Sequence, residues 1–110
     1  MFPFRNLDVW RRAMRLRGDV FAVIRTWPPA AVPLGRLAMD AGARVPSHIA
    51  AGSTARTTDG VARSADAARA ALAELVTHLD GARFERYHSE SDHWRIEQQL
   101  ATLAQLMRRE

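Results

Sequence analysis

The densest group of chemically capable side chains is His88-Ser-Glu-Ser-Asp-His93, two histidines and two carboxylates within six residues. Imidazole and carboxylate together are a zinc-type ligand set, but the spacing argues against one here. Metal-binding histidine pairs on a helix stand at i, i+4 and face one way. His88 and His93 are five apart and straddle a helix start at Ser89. Glu90 and Asp92 have a simpler task as first-turn acids, favoured by the helix dipole. Glu85-Arg-Tyr-His88 matches the Glu-x-x-His element of di-iron bundles, yet such sites need two of these elements and two further inward glutamates. This chain has one element, placed at a helix end. Glu74 and His78 stand at i, i+4 spacing and read as a surface ion pair or as polar groups beside a helix contact. Ser47 and His48 are adjacent, and adjacent helical residues point apart, so they form no nucleophile pair. No Gly-rich phosphate loop is present, and the absence of cysteine removes disulfides, thiol nucleophiles and Cys-ligated metals. The expectation is a protein that is not an enzyme, with no catalytic residues, no metal and no cofactor.

The arginines carry the next chemistry. All 16 basic residues are Arg, against 12 acids, for a formal net charge of +4. The pI of about 11.2 overstates this excess, because Arg does not deprotonate in the accessible range. The charge is unevenly placed. Residues 1–27 hold six Arg and two acids and residues 28–57 three Arg and one acid, whereas each of the segments 58–83 and 84–110 carries a net −1. Arg11, Arg12 and Arg15 share one face of the first helix, with Arg5 just before it. These four are the candidate contacts to phosphate or to another subunit. No aromatic is interleaved on the exposed side of the patch, so base stacking gains no support. A basic half and a slightly acidic half on one chain would also suit a head-to-tail ring.

The elements that must position these groups are helices. Twenty alanines, 7% aromatics and few β-branched residues favour close-packed helices over sheets. The spacing predicts four. The first spans about Leu7 to Thr26, with Asn6 as N-cap, a stripe of Val9, Trp10, Ala13, Met14, Val20, Phe21 and Ile24, and an end at Trp27-Pro28-Pro29. The second spans about Pro33 to Ala51, with a stripe of Leu34, Leu37, Ala38, Ala41, Val45 and Ile49 and Gly52 as the C′ residue; Pro46 either kinks it or breaks it in two, and the stripe continuing to Ile49 favours the kink. The third spans about Asp59 to Arg83 after a Thr58 N-cap. Its seam of Val61, Ala65, Ala68, Leu72, Leu75, Leu79 and Ala82 steps alternately by four and three. The fourth spans about Glu90 to Arg109, with Ser89 as N-cap and Ile96, Leu100, Leu103 and Met107 on its seam. Four such helices with short connections suit an all-α, antiparallel up-down-up-down four-helix bundle. A chain of 110 residues has room for one core, so residues 1–110 are read as a single domain. No apolar run is long enough to span a membrane and no signal-peptide core is present, so the expected location is cytoplasmic.

Several segments resemble one family. Phe4-Arg-Asn-Leu-Asp-Val-Trp10 with Ala13 is similar to the "FxxLxVWxxA" start of the four-helix bundle proteins associated with intervening sequences in 23S ribosomal RNA genes. Val45-Pro-Ser-His-Ile-Ala-Ala-Gly52 resembles that family's "xPSNIAEG" segment, and Ala68 through Leu79 resembles its "ARGSLxELxxQL" helix. Tyr87 and Ser89 fit its "GYxS" pattern. On this resemblance Trp10, Pro46, Ser47, Ile49, Gly52 and Glu74 are the family-motif positions, with structural roles. The resemblance implies a left-handed antiparallel bundle that self-assembles, with a homopentamer as the expected number and no enzymatic activity. A related branch, the accessory variability protein of diversity-generating retroelements, is a basic pentamer that binds nucleic acid and a reverse transcriptase, so RNA or another nucleic acid is the implied partner class beside self. The chain departs from the pattern where His48 replaces Asn, Ala51 replaces Glu and Ser53-Thr-Ala-Arg56 dilutes the usual "GR". Any binding role that rests on the Asn and Glu is in doubt here.

Overall fold

A computed structural model describes residues 2–108, and the regular elements among them are helical, with no strand. A 3-10 turn, Pro3–Asn6, leads into α1, Asp8–Ile24. A second, Pro29–Ala31, leads into α2, Val32–Thr54; α3 is Thr58–Phe84 and α4 is Glu90–Arg108. The predicted last residue of the fourth helix, Arg109, lies outside the described residues.

The four predicted helices are all present; the corrections fall at their ends and on the phase of their stripes. Asn6 does not cap α1. Pro3 opens a 3-10 turn that takes in Asn6, and Leu7 holds the N-cap position with no side-chain bond. The α3 cap is Thr57 rather than Thr58, its Oγ1 accepting the Gly60 N–H at 2.9 Å. Ser89 caps α4, accepting the Asp92 N–H at 3.0 Å. Gly52 is not a C′ residue, because α2 continues past it to Thr54. The helix also runs unbroken through Pro46. Proline offers no N–H to the carbonyl four residues back. Pro46 is itself buried, and the next residue, Ser47, donates its hydroxyl to the Ala43 carbonyl at 3.0 Å.

α1 packs on α2 and α4, and α3 packs on the same two helices. The α2–α3 contact is the broadest. Its cause is the small side chains on both partners: Ala38, Ala41 and Gly42 are buried on α2, and Ala68 and Ala71 on α3. A Cβ built on Gly52 would stand 3.1 Å from the Ser64 Cβ, so the two helices approach closely at this point too. The larger core side chains come chiefly from Leu16 and Val20 of α1, Leu75 and Leu79 of α3, and Ile96 and Leu103 of α4. Met14, Leu37 and Val61, placed on the predicted stripes, are exposed, while Leu16 and Val23 of α1, outside its predicted stripe, are buried. Met14 and Leu16 stand about 200° apart on the helix, so only one of them can face the core.

Polar contacts tie neighbouring helices at their margins. Gln99 donates to Asp19 at 2.7 Å, joining α4 to α1. Arg69 donates to the Met107 carbonyl at 3.0 Å, satisfying one of the orphan acceptors at the end of α4. Arg44 of α2 bonds Glu74 of α3 as well as Asp40 on its own helix. Hydrogen bonds to Glu74 and then Asp40 hold the Arg44 guanidinium above its ordinary pKa.

Candidate functional site

The most organised polar cluster lies where the end of α3 meets the start of α4, and the local backbone places it. α3 closes in a Schellman motif: the Tyr87 N–H bonds the Ala82 carbonyl at 2.9 Å, and the Arg86 N–H bonds the Arg83 carbonyl at 3.0 Å. Such a motif requires left-handed backbone at its pivot, and Arg86 takes it at φ 58°. Glycine is the residue that adopts this conformation without strain. The turn delivers Tyr87 and His88 onto Trp27, which hangs from the end of α1. The Trp27 ring lies 5.8 Å from that of Tyr87 and is stacked on that of His88 at 5.7 Å. Gly35 of α2 makes room for this arrangement, since a Cβ there would press on Ile24 at 3.1 Å and on Trp27 at 3.7 Å.

A line of polar contacts crosses the cluster. Trp27 Nε1 donates to His88 Nδ1 at 3.2 Å, His88 Nε2 meets His93 Nδ1 at 3.0 Å, and His93 Nε2 faces Asp80 Oδ1 at 3.6 Å. Indole is a donor only, which sets the sense of the line. His88 Nδ1 must accept, so Nε2 carries the hydrogen and gives it to His93 Nδ1. His93 then carries its own hydrogen on Nε2, aimed at Asp80. His93 is buried, and its Nε2 is a buried side-chain atom with no hydrogen-bond partner among the described residues. Burial and then the neighbouring His93 ring push the His88 pKa below its ordinary value of 6.5. Both nitrogens of His88 are engaged and the free nitrogen of His93 is sealed from solvent, so neither offers a base to a substrate. Glu90 bonds Arg83 at 2.9 Å and Asp92 bonds Arg95 at 2.7 Å, so these first-turn acids are occupied in ion pairs. No group of three or more metal-ligating side chains occurs among the described residues.

The arginine patch is less free than its sequence reads. Arg12 is paired with Asp8 at 2.9 Å. Arg11 donates to the Arg5 carbonyl at 2.8 Å and to Asn6 at 3.4 Å. The Arg5 guanidinium sits over the Phe2 ring at 5.2 Å. Arg15 borders a shallow groove with Arg12, Gln98, Gln99 and Thr102. All four arginines are exposed, and they cover the approach to α1 rather than a cavity.

Residues 5–109 match the sequence profile described as 23S rRNA-intervening sequence protein. The chain belongs to the 23S rRNA-intervening sequence protein family. No curated protein matches it. The motif positions of the family have separate places in the fold. Trp10 is half-buried with its ring edge-on to Phe4 at 5.3 Å. Ile49 and Gly52, with His48 between α2 and its neighbours, line an apolar cleft of about 230 Å³ that Leu7, Val61 and Met107 complete. The departure at His48 therefore falls on this cleft. Glu74 reaches across to Arg44 of α2, so of the two readings of its spacing the polar group beside a helix contact is the one seen, and no ion pair with His78 forms among the described residues. The family's "GYxS" pattern has glycine where Arg86 stands, at the one left-handed non-glycine residue among those described.

The Trp27–His88 contact, 61 residues apart in the chain, was invisible to motif spacing. The available signal was the tryptophan itself: a buried indole N–H needs an acceptor, and His88 and His93 are the acceptors nearest a helix end.

Proposed function

We propose that this chain is a non-enzymatic, self-assembling protein: a left-handed antiparallel four-helix bundle that forms a homo-oligomer, a pentamer, and acts as a scaffold for RNA or a protein partner in the cytoplasm. The observation that carries the reading is the exposure of two large aromatic side chains. Phe84 is 87% and Trp94 66% exposed, at the end of α3 and the start of α4. Tryptophan left in water forfeits a large apolar burial, and it is a preferred anchor at protein interfaces. These rings project from the slightly acidic half of the chain, while Val32 and Leu37 are exposed on the basic half, at 48% and 54%. Unlike surfaces of complementary charge favour a head-to-tail contact, and head-to-tail contacts close into a ring when the rotation between copies divides the full turn. The absence of a helix long and apolar enough to cross a membrane among the described residues is compatible with this setting. The nucleic-acid reading of Arg5, Arg11, Arg12 and Arg15 draws less support, because Asp8 neutralises Arg12 and the other contacts hold Arg5 and Arg11 against the chain's own N-terminal turn.

Light scattering and native mass spectrometry test the assembly. The expected mass is that of five chains, and Trp94→Ala lowers it. A monomer at tens of micromolar refutes the proposal. Titration with structured RNA at two salt concentrations tests the alternative, since phosphate-driven binding falls steeply with salt. Tight, salt-sensitive binding by a monomer would favour the basic first helix as the functional surface.

A further inference from the structure

We propose that the Trp27–His88–His93–Asp80 line is an acid-opened clasp: uptake of one proton by the histidine pair releases the Trp27 indole and unfastens the α1–α2 connection from the α3–α4 turn. The argument is one of counting hydrogens. In the neutral pair each hydrogen bond of the line has one donor and one acceptor, from Trp27 through His88 to His93, whose Nε2–H faces Asp80 at 3.6 Å without bonding it. A further proton has no vacant acceptor along the line. Placed on His88 Nδ1, it faces the Trp27 N–H and sets two donors head to head. Placed on His93 Nδ1, it faces the His88 N–H, and the conflict is relieved only when His88 moves its own hydrogen to Nδ1, again opposite Trp27. The second arrangement sets the added charge 3.6 Å from the Asp80 carboxylate, an attraction that offsets the cost of burying it. Asp80 therefore holds the charge at one end and expels the hydrogen conflict to the other, where Trp27 has no second acceptor.

The surrounding charges do not provide another outlet. From α3 the facing groups are Asp80 and Arg83, and from α4 Glu90, Asp92 and Glu97; Arg83 and Glu90 are paired with each other and Asp92 with Arg95, while Glu97 lines the outer groove beside His93 and makes no bond to it. Tyr87 meets the opposite side of Trp27 from the α3–α4 turn, and the α1–α2 connection contributes only the indole, which does not titrate in this range. The depressed pKa of His88 has the sign that this geometry requires.

The experiment is hydrogen exchange of the indole N–H groups in the full chain, followed by NMR between pH 7.5 and 5.5, with Trp27→Phe assigning the resonance. In the wild type the Trp27 indole is protected at pH 7.5. Its protection relative to a free indole then falls on acidification, approaching about tenfold per pH unit for a one-proton opening, while the backbone amide of buried Leu75 in α3 keeps its protection. His88→Gln keeps an acceptor for Trp27 that does not titrate, and its Trp27 protection is flat with pH. Asp80→Asn removes the charge that draws the proton to His93 and moves the opening to lower pH; this variant decides the matter if His88→Gln fails to fold. Trp27 protection that is unchanged down to pH 5.5, that falls in parallel with the Leu75 amide, or whose midpoint is the same in Asp80→Asn overturns the proposal.

Discussion

Leu37 and Leu75 are the same residue type on apolar stripes of two helices that share the broadest contact, yet the structure gives them opposite fates. Leu75 is 0% exposed and Leu37 54%. Leu75 sits against the Gly42 face of α2 and beneath Phe21, with its methyl groups 3.9–4.0 Å from where a Gly42 Cβ would be. Backbones this close have little room to collapse further, so most of the volume removed by Leu75→Ala remains as a cavity. The expected cost is about 3–4 kcal/mol, within the range for fully buried leucines. For a chain of this size that corresponds to a fall in Tm of roughly 13–18 °C. Leu37→Ala removes a side chain that is already half in water, and about 0.5 kcal/mol or less is expected, or a Tm change within roughly 2 °C. Urea denaturation and thermal scans of both variants, at several protein concentrations, make the comparison. A Leu37→Ala cost that grows with concentration places this residue at a subunit contact, as the proposed assembly allows. A cost above roughly 2 kcal/mol that is independent of concentration would mean that Leu37 is a core residue within the chain. The rotational setting of α2, and the reasoning that follows from it, would then be wrong.

Other substitutions probe the site and the helix contacts. Arg86→Gly places the preferred residue in the left-handed position of the α3 end and should raise stability by about 0.5–1 kcal/mol in denaturant titration, the relief of strain exceeding the added freedom of the unfolded chain. Gly52→Val forces a branched side chain into the 3.1 Å approach to Ser64 and should lower stability by more than 1 kcal/mol, an overpacking cost read by thermal melting. A double-mutant cycle on Arg44 and Glu74 should give a coupling of about 0.2–1 kcal/mol that shrinks in high salt, since both side chains are more than a third exposed. The lowered His88 pKa sets a direction for pH. Between its folded value and 6.5 the unfolded chain binds more protons than the folded one, so this contribution to stability is fully present above 6.5 and is lost as pH falls through that window. Urea midpoints of wild type and His88→Gln should therefore be separated by a constant gap above pH 6.5 that changes only as pH falls below it, with wild type losing stability relative to the variant.

The order and number of the helices, the seams of α3 and α4 and the Ser89 cap were legible in the residues alone. They depend on local periodicity and on short-range capping chemistry, which act within a turn or two of the chain. The α3 seam from Ala68 to Ala82 is buried throughout, because its four–three spacing leaves one face only. The caps at Asn6 and Thr58 were misplaced by one residue, since a proline-opened 3-10 turn and a second threonine compete for each position. Tertiary packing alone decided which stripe residues face inward. α2 is apolar over much of its circumference, so its own pattern is compatible with Leu37 in or out. Small residues at Ala38, Ala41 and Gly42 settle the matter by letting α3 come close on their side. Tertiary structure also turned two histidines with unsuitable ligand spacing into a directed line, because a donor-only indole 61 residues away fixes both tautomers. Hydrogen-bond direction of that kind is set by groups that meet only when α1, α3 and α4 have packed, and no spacing along the chain encodes it.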